Sequence, residues 1–247
     1  MTIKSGRMSD SIAQYIDHAV LHPTQTEADL AAACTICNKL DVASICVKPS
    51  MISRAAELLA DSSVKVSTVI GFPHGGTSTA AKAAEAEQAC QDGAVELDMV
   101  VNIGRSLAGD YAYVEEDIRQ VVAVAAKHDA IVKVIFETGL LQNDEQKIEL
   151  CGCSERAGAE FVKTSTGFGF VKGEDGALQS TGATRKDIAL MRKHFSRGVK
   201  ASGGIRSLAD AMGLIELGAS RLGTSSTEAL VREEQGEQTS SSSAANY

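Results

Sequence analysis

Eight times along this chain a short apolar or β-branched run ends in a Gly, Pro, Ser or Thr turn signal and gives way to a longer stretch with helical period. The strand candidates are residues 15–18, 43–47, 65–70, 95–101, 131–137, 160–165, 198–202 and 220–223. Helical stretches follow them, among them 27–40, 78–91, 107–128, 143–156, 184–194 and 208–217. Strands alternating with helices need right-handed parallel crossovers, and eight such units fit a closed cylinder better than an open sheet. The rhythm predicts a (β/α)8 barrel, the TIM barrel of the α/β class. That fold takes about 250 residues as one domain, and the chain has 247. The expected division is a barrel over 1–234 and a polar tail over 235–247, whose serine run cannot fold alone. Residues 168–182, Gly-rich and polar, fall outside the rhythm and read as a long loop after the sixth strand, where loops tend to carry function.

The composition narrows the partners. With 44% hydrophobic residues the chain can bury a sizeable core, and 24 Lys and Arg against 32 Asp and Glu give a net charge of -8. That charge disfavours a general nucleic-acid or anionic-membrane surface, so an anionic ligand must be met by a local site. No apolar run approaches the roughly 20 residues of a membrane span, and the first ten residues lack the apolar centre of a secretory signal. Six cysteines are too sparse for a disulfide scaffold. A reducing cytoplasm is the expectation.

Strand side chains alternate between the barrel interior and the helix layer, so the apolar set of each strand should face outward. In the fourth strand Val95, Leu97, Met99 and Val101 face the helices, which turns Glu96 and Asp98 inward. In the fifth, Val132, Val134 and Phe136 face outward, which turns Lys133 and Glu137 inward. The same parity points Lys163 of the sixth strand and Lys200 of the seventh into that interior. A single lysine there would be read as snorkelling or paired. Several on successive strands are hard to justify by stability, because each charge removed from water costs several kcal/mol. Desolvation and mutual repulsion both favour the neutral amine. Lys163, between Lys133 and Lys200, is expected to have the most depressed pKa and to act as a nucleophile toward a carbonyl carbon, giving a protonated imine. Asp98 is placed to relay protons through Lys200 or a water.

Two further loops suit an anion. Ser202-Gly203-Gly204-Ile205-Arg206-Ser207 follows the seventh strand and Gly223-Thr224-Ser225-Ser226 the eighth. Glycines let backbone N–H groups approach an anion, a helix N-terminus adds partial positive charge, and barrel enzymes commonly seat phosphate after these two strands.

Taken in order, Tyr15-Ile16-Asp17-His18, Cys46-Val47-Lys48-Pro49, Gly71-Phe72-Pro73-His74-Gly75, Glu96-Leu97-Asp98-Met99-Val100, Lys133-Val134-Ile135-Phe136-Glu137-Thr138, Lys163-Thr164-Ser165-Thr166-Gly167, Lys200-Ala201-Ser202-Gly203-Gly204-Ile205-Arg206 and Gly223-Thr224-Ser225-Ser226 resemble the motifs of deoxyribose-phosphate aldolases. The resemblance covers residues from about 15 to 226. It implies a metal-free, cofactor-free class I aldolase that reversibly cleaves 2-deoxy-D-ribose 5-phosphate to acetaldehyde and D-glyceraldehyde 3-phosphate, in carbohydrate and deoxyribonucleotide catabolism. By motif it makes Lys163 the Schiff-base residue, Lys200 its pKa-lowering, proton-shuttling partner and Asp98 the relay carboxylate. Asp17 and Thr166 match positions near the substrate hydroxyls, and Lys133 joins the substrate-binding set. Gly167, Gly203, Gly204, Ser225 and Ser226 match the phosphate site, and Cys46 matches a cysteine near the aldehyde pocket. Two features depart from the pattern. Phe168 stands where some members carry a lysine, so that one phosphate contact is either missing or replaced by Lys172, and 168–182 is longer than the usual short connection. The terminal Tyr247 matches a mobile tyrosine of some members, although a disordered terminus is the simpler reading.

The pairs Cys34/Cys37 and Cys151/Cys153 sit in predicted helices and read as small buried hydrophobes, so no metal is expected. His18, His22 and His74 could line the mouth but are more often hydrogen-bonded spacers. The rival readings are another Schiff-base aldolase of this barrel type acting on a ketose phosphate, and a non-catalytic phosphosugar-binding barrel. The expected partners are phosphosugar and aldehyde small molecules, with neither nucleic acid nor membrane, in a homodimer of the kind such barrels often form.

Overall fold

The structure is a computed structural model that describes residues 11–173 and 175–237. Eight parallel strands close into a barrel: β1 (Ile16–Val20), β2 (Ser44–Val47), β3 (Lys65–Ile70), β4 (Glu96–Val100), β5 (Ile131–Ile135), β6 (Phe161–Lys163), β9 (Gly198–Ser202) and β10 (Arg221–Thr224). Sequence neighbours pair around the ring, and β1 pairs with β10 to close it. The helices lie between successive strands: α1 (Glu27–Leu40), α2 (Ile52–Leu58), α3 (Thr79–Gln91), α4 (Ile103–Leu107), α5 (Tyr111–Ala125), α6 (Asp144–Ala157), α7 (Arg185–His194) and α8 (Leu208–Glu216), with α9 (Thr227–Glu234) after the last strand. No helix among the described residues is long and apolar enough to cross a membrane.

The core lies between barrel and helices. Ile45, Val66, Leu97, Met99, Val132, Val134, Val162, Val199 and Leu222 are buried there with Leu30, Ile118, Leu150, Ile188 and Leu230 from the helices. The opposite parity of each strand turns inward and is strongly polar, with Asp17, Ser44, Ser67, Glu96, Asp98, Lys133, Lys163 and Lys200 all buried. Most barrels fill this space with branched apolar side chains. Caps fix where the helices begin: Ser78, Asn143 and Thr184 accept backbone N–H bonds from the first turns of α3, α6 and α7.

Three expectations need correction. The helix predicted over 107–128 is broken, because Gly109 takes a positive φ of 73° and Asp110 caps a new start by accepting from Tyr113 N–H, which separates α4 from α5. The long loop 168–182 is partly ordered as an antiparallel hairpin, β7 (Phe170–Lys172) with β8 (Leu178–Ser180). Val95 precedes β4 and is 40% exposed rather than packed under a helix. Residues 1–10, most of the tail predicted from 235, and Tyr247 lie outside the described residues.

Candidate active site

A cavity of about 130 Å³ opens at the C-terminal end of the barrel strands. Its walls include Asp17, Cys46, Lys163 and Lys200 from the strands, and Thr166, Gly167, Gly203, Gly204, Ser225 and Ser226 from the loops above them. Ten residues marked by the sequence thus meet in one space. Two do not line it. Asp98 lies behind Lys163 and Lys200, and Lys133 is fully buried outside the cavity wall.

Register explains the place of Lys133. Lys163 pairs with Lys200 across β6 and β9, whereas the β5 residue opposite Lys163 is Ile135; Lys133 pairs with Phe161 and so sits a pleat lower. There its ammonium lies 2.9 Å from Asp17, 2.6 Å from Glu96 and 3.1 Å from Asp98. Lys133 thus lies away from the cavity wall where a substrate contact was expected, and of the expected repulsions among the three lysines those of Lys200 with Lys163 and with Lys133 remain. Lys133 touches three carboxylates that it shares with the neighbouring cations, and they hold its proton more tightly than usual even against the desolvation that opposes them.

The carboxylates come from strands distant in sequence. Asp17 Oδ2 accepts from Lys133 and Lys200, and its Oδ1 accepts from Ser44 Oγ at 2.6 Å and Arg221 Nη1 at 2.5 Å. Asp98 Oδ2 accepts from both Lys163 Nζ and Lys200 Nζ, each at 2.7 Å. Asp98 Oδ1 is near Lys133 but not aligned for a hydrogen bond. Burial opposes ionisation of both acids, yet the surrounding cations hold Asp17 and Asp98 well below the usual carboxylate range. Lys200, paired to two carboxylates, is shifted upward against its own desolvation. Lys163 has one carboxylate partner and is shifted downward, by burial first and by repulsion from Lys200 next, with Asp98 opposing both. Among the three lysines inside the barrel, only Lys163 combines a place on the cavity wall with a weakened hold on its proton.

At the mouth, Gly203 and Gly204 adopt φ of 90° and 80°, turning the loop after β9 in a way that favours glycine. A Cβ on Gly203 would meet Gly182 Cα at 2.9 Å, so this loop packs backbone to backbone against the chain leaving the hairpin. Gly204 and Gly167 face open space. Thr166 lines the cavity, but its hydroxyl donates to Glu137 and accepts from Phe168 N–H, which leaves one lone pair for a ligand. Glu137 does not point down into the barrel as strand parity predicted. At a φ of 54° it turns over the rim and also accepts from Thr166 N–H and Thr181 Oγ1.

The wall also holds His22, which the sequence reading places as able to line the mouth, Phe168 and Arg206 from the segments it names, and Gln25, which it misses. Phe168 packs edge-on to Phe72 and stacks on His22, forming an aromatic side of the mouth. Lys48 Nζ donates to the carbonyls of His22 and Gln25 at 3.2 and 2.7 Å, fixing the loop that carries them. The signal for Lys48 was its place in the Cys46-Val47-Lys48-Pro49 motif. His18, by contrast, turns away to Thr227 Oγ1 at 2.8 Å, and His74 is exposed. Lys172 lies exposed on the hairpin outside the cavity wall.

Known proteins are similar to this chain over nearly its whole length. The sequence pattern of the DeoC/LacD family of aldolases matches residues 11–229. A deoxyribose-phosphate aldolase of Carboxydothermus hydrogenoformans is 50% identical over 222 residues, covering 88% of this chain and 92% of the relative. One from Caldicellulosiruptor saccharolyticus is 48% identical, covering 90% and 98%. The tetrameric deoxyribose phosphate aldolase of Aeropyrum pernix superposes with a TM-score of 0.81 at 31% identity, covering 91% of both chains. A family match over residues 11–229 and relatives identical at about half of the aligned positions show that this chain belongs to the DeoC/LacD family of aldolases.

Proposed function

We propose that the protein reversibly cleaves 2-deoxy-D-ribose 5-phosphate into acetaldehyde and D-glyceraldehyde 3-phosphate through an imine on Lys163. The observation that carries this reading is the contrast between Lys163 and its neighbours: it borders the cavity with one carboxylate partner, while Lys133 and Lys200 have several. A neutral amine there attacks C1 of the open-chain sugar, and loss of water gives the iminium ion. The iminium withdraws electrons as the C2–C3 bond breaks and the C3 hydroxyl gives up its proton, releasing glyceraldehyde phosphate. Protonation at C2 and addition of water then free acetaldehyde and restore the amine. Lys200 and Asp98, joined by a hydrogen bond, are the groups that hold and return these protons. Such positioned proton transfer contributes typically 100-fold to 10,000-fold.

The phosphate end fits the loops after β9 and β10. Gly203, Gly204, Ser225 and Ser226 offer backbone N–H and hydroxyl groups, and Arg206 adds a cation on the same wall. Depth in the cavity then sets the carbonyl end toward Lys163. Incubation with deoxyribose 5-phosphate and borohydride is expected to leave a reduced two-carbon adduct on Lys163, and Lys163→Ala to abolish both adduct and cleavage. A Lys163→Ala protein that cleaves at the wild-type rate would overturn the assignment.

A further inference from the structure

We infer that Arg221, held against Glu96 and Asp17 beneath the cavity, leaves the barrel's charged layer one cation in excess and so keeps Lys163 in its amine form. This inference rests on the reading of Lys163 as the imine-forming residue. The layer contains four cationic side chains, Lys133, Lys163, Lys200 and Arg221, and three carboxylates, Asp17, Glu96 and Asp98. Each barrel strand can be accounted for, and the buried Glu137 beyond β5 is turned over the rim onto Thr166 and Thr181, with no ion pair to a cation of the layer. β1 supplies Asp17, β2 the thiol of Cys46, β4 Glu96 and Asp98, β5 Lys133, β6 Lys163, β9 Lys200 and β10 Arg221. From β3 the inward Ser67 is uncharged, and Lys65 approaches Glu96 only to 3.8 Å with its side chain 57% exposed, so solvent screens it. The Cys46 thiol is pushed up by burial and stays neutral.

Three carboxylates compensate three cations. A buried net charge is costly, so the layer is most stable with one cationic site unprotonated. Arginine cannot release a proton at neutral pH. Lys133 touches three carboxylates and Lys200 two, and Lys163 touches Asp98 alone. The missing proton therefore falls to Lys163. Arg221 is built to remain charged: its guanidinium reaches Asp17 at 2.5 Å and Glu96 at 3.1 Å, lies 5.2 Å from the Phe161 ring centre, and its side chain is 12% exposed. In the barrel register Arg221 lies opposite Lys200, which lies opposite Lys163, a backbone separation of about 10 Å at ordinary strand spacing. At an effective dielectric constant of about 20, one charge at that range moves a titration by roughly one pH unit. Arg221 and Glu96 thus act as positioning residues through the charge balance, touching neither substrate nor the reacting atoms.

The test titrates Lys163 itself. Wild type, Arg221→Met, Arg221→Lys, Glu96→Gln and the Glu96→Gln/Arg221→Met double variant are treated with acetaldehyde and borohydride across a pH series, and the Lys163 peptide is quantified by mass. Arg221→Met is expected to raise the midpoint of labelling by roughly one pH unit and Glu96→Gln to lower it by a similar amount. Arg221→Lys should leave it in place, and the double variant, which restores the excess of one cation, should return toward wild type. Circular dichroism identifies variants that fold. Should Arg221→Met fail to fold, the downward shift in Glu96→Gln carries the test. Midpoints that stay at the wild-type value in folded single variants overturn the inference while leaving imine formation intact. A wild-type protein with no Lys163 adduct at any pH overturns the proposed function instead, and the inference with it.

Discussion

Lys133 and Lys163 have the same side chain and nearly the same burial, yet the structure drives their ammonium groups in opposite directions. Burial opposes the charge of both groups, and the difference is the number of carboxylates within reach, three against one. Lys200 contributes in two ways: its charge repels the Lys163 ammonium, and it shares the Asp98 oxygen that would otherwise stabilise that ammonium alone. Both effects lower the Lys163 pKa. Lys200→Leu removes them together, so the acidic limb of the pH–rate profile is expected to move to higher pH. Loss of the shuttling amine should also lower cleavage at neutral pH by about 100-fold or more. A profile in place at wild-type position would refute the coupling. Strand parity made the inward lysines legible in the sequence, but not their partners. Asp17 is 116 residues from Lys133 and 204 from Arg221, and only closure of the barrel brings them together.

At the scale of elements, the barrel strands were readable because each outward set is apolar and buried, a pattern that survives without tertiary information. What parity could not convey was the stagger between strands, which sets Lys133 one pleat below Lys163. The break between α4 and α5 was written in Gly109 and Asp110, and the long helical period on either side masked it. The hairpin was harder to see. Its strands have three residues each, and Phe170 and Leu178 are 50% and 72% exposed, so no buried face imposes the usual alternation. Its neck is tightly joined to the barrel. Thr181 N–H donates to the Gly169 carbonyl at 2.9 Å, and the Glu137 carboxylate sits beneath, bonded to Thr166 and Thr181. A Cβ at Gly169 would meet both Thr181 and Glu137. Replacing 170–180 by a short Gly-Ser turn is therefore expected to change Tm by less than about 3 °C, since little apolar surface is lost. Ser180 belongs to the cavity wall and is lost with the hairpin, so KM for the phosphosugar should rise several-fold with kcat less affected. Thermal unfolding and steady-state kinetics of the same variant separate the two effects. A fall in kcat with unchanged KM would show that the hairpin acts on the chemical steps instead.

Across the whole molecule, the charged layer lies inside a shell of apolar packing, and the shell carries its own titratable group. His18 points outward from β1, is 9% exposed, and meets Thr227 Oγ1 at the start of α9, where burial pulls its pKa from 6.5 down to about 4. The unfolded chain therefore binds a proton at His18 before the folded protein does. The stability this site contributes is complete above pH 6.5 and is lost as pH falls toward 4. At pH 5 the loss is about 2 kcal/mol, or roughly 4–8 °C in Tm for a chain of this size. Asp17 and Asp98 act in the same direction over a lower range. Their folded pKa values are depressed, so their contribution is present above the ordinary carboxylate range and falls away only below about pH 4. The two sources are thus separated in pH. His18→Asn, which can still hydrogen-bond Thr227 but cannot titrate, is expected to flatten the Tm profile between pH 7 and 5 while leaving the steep acid fall below pH 4. Differential scanning calorimetry across that range checks both limbs, and a variant that retains the wild-type slope above pH 5 would place the upper transition elsewhere in the protein.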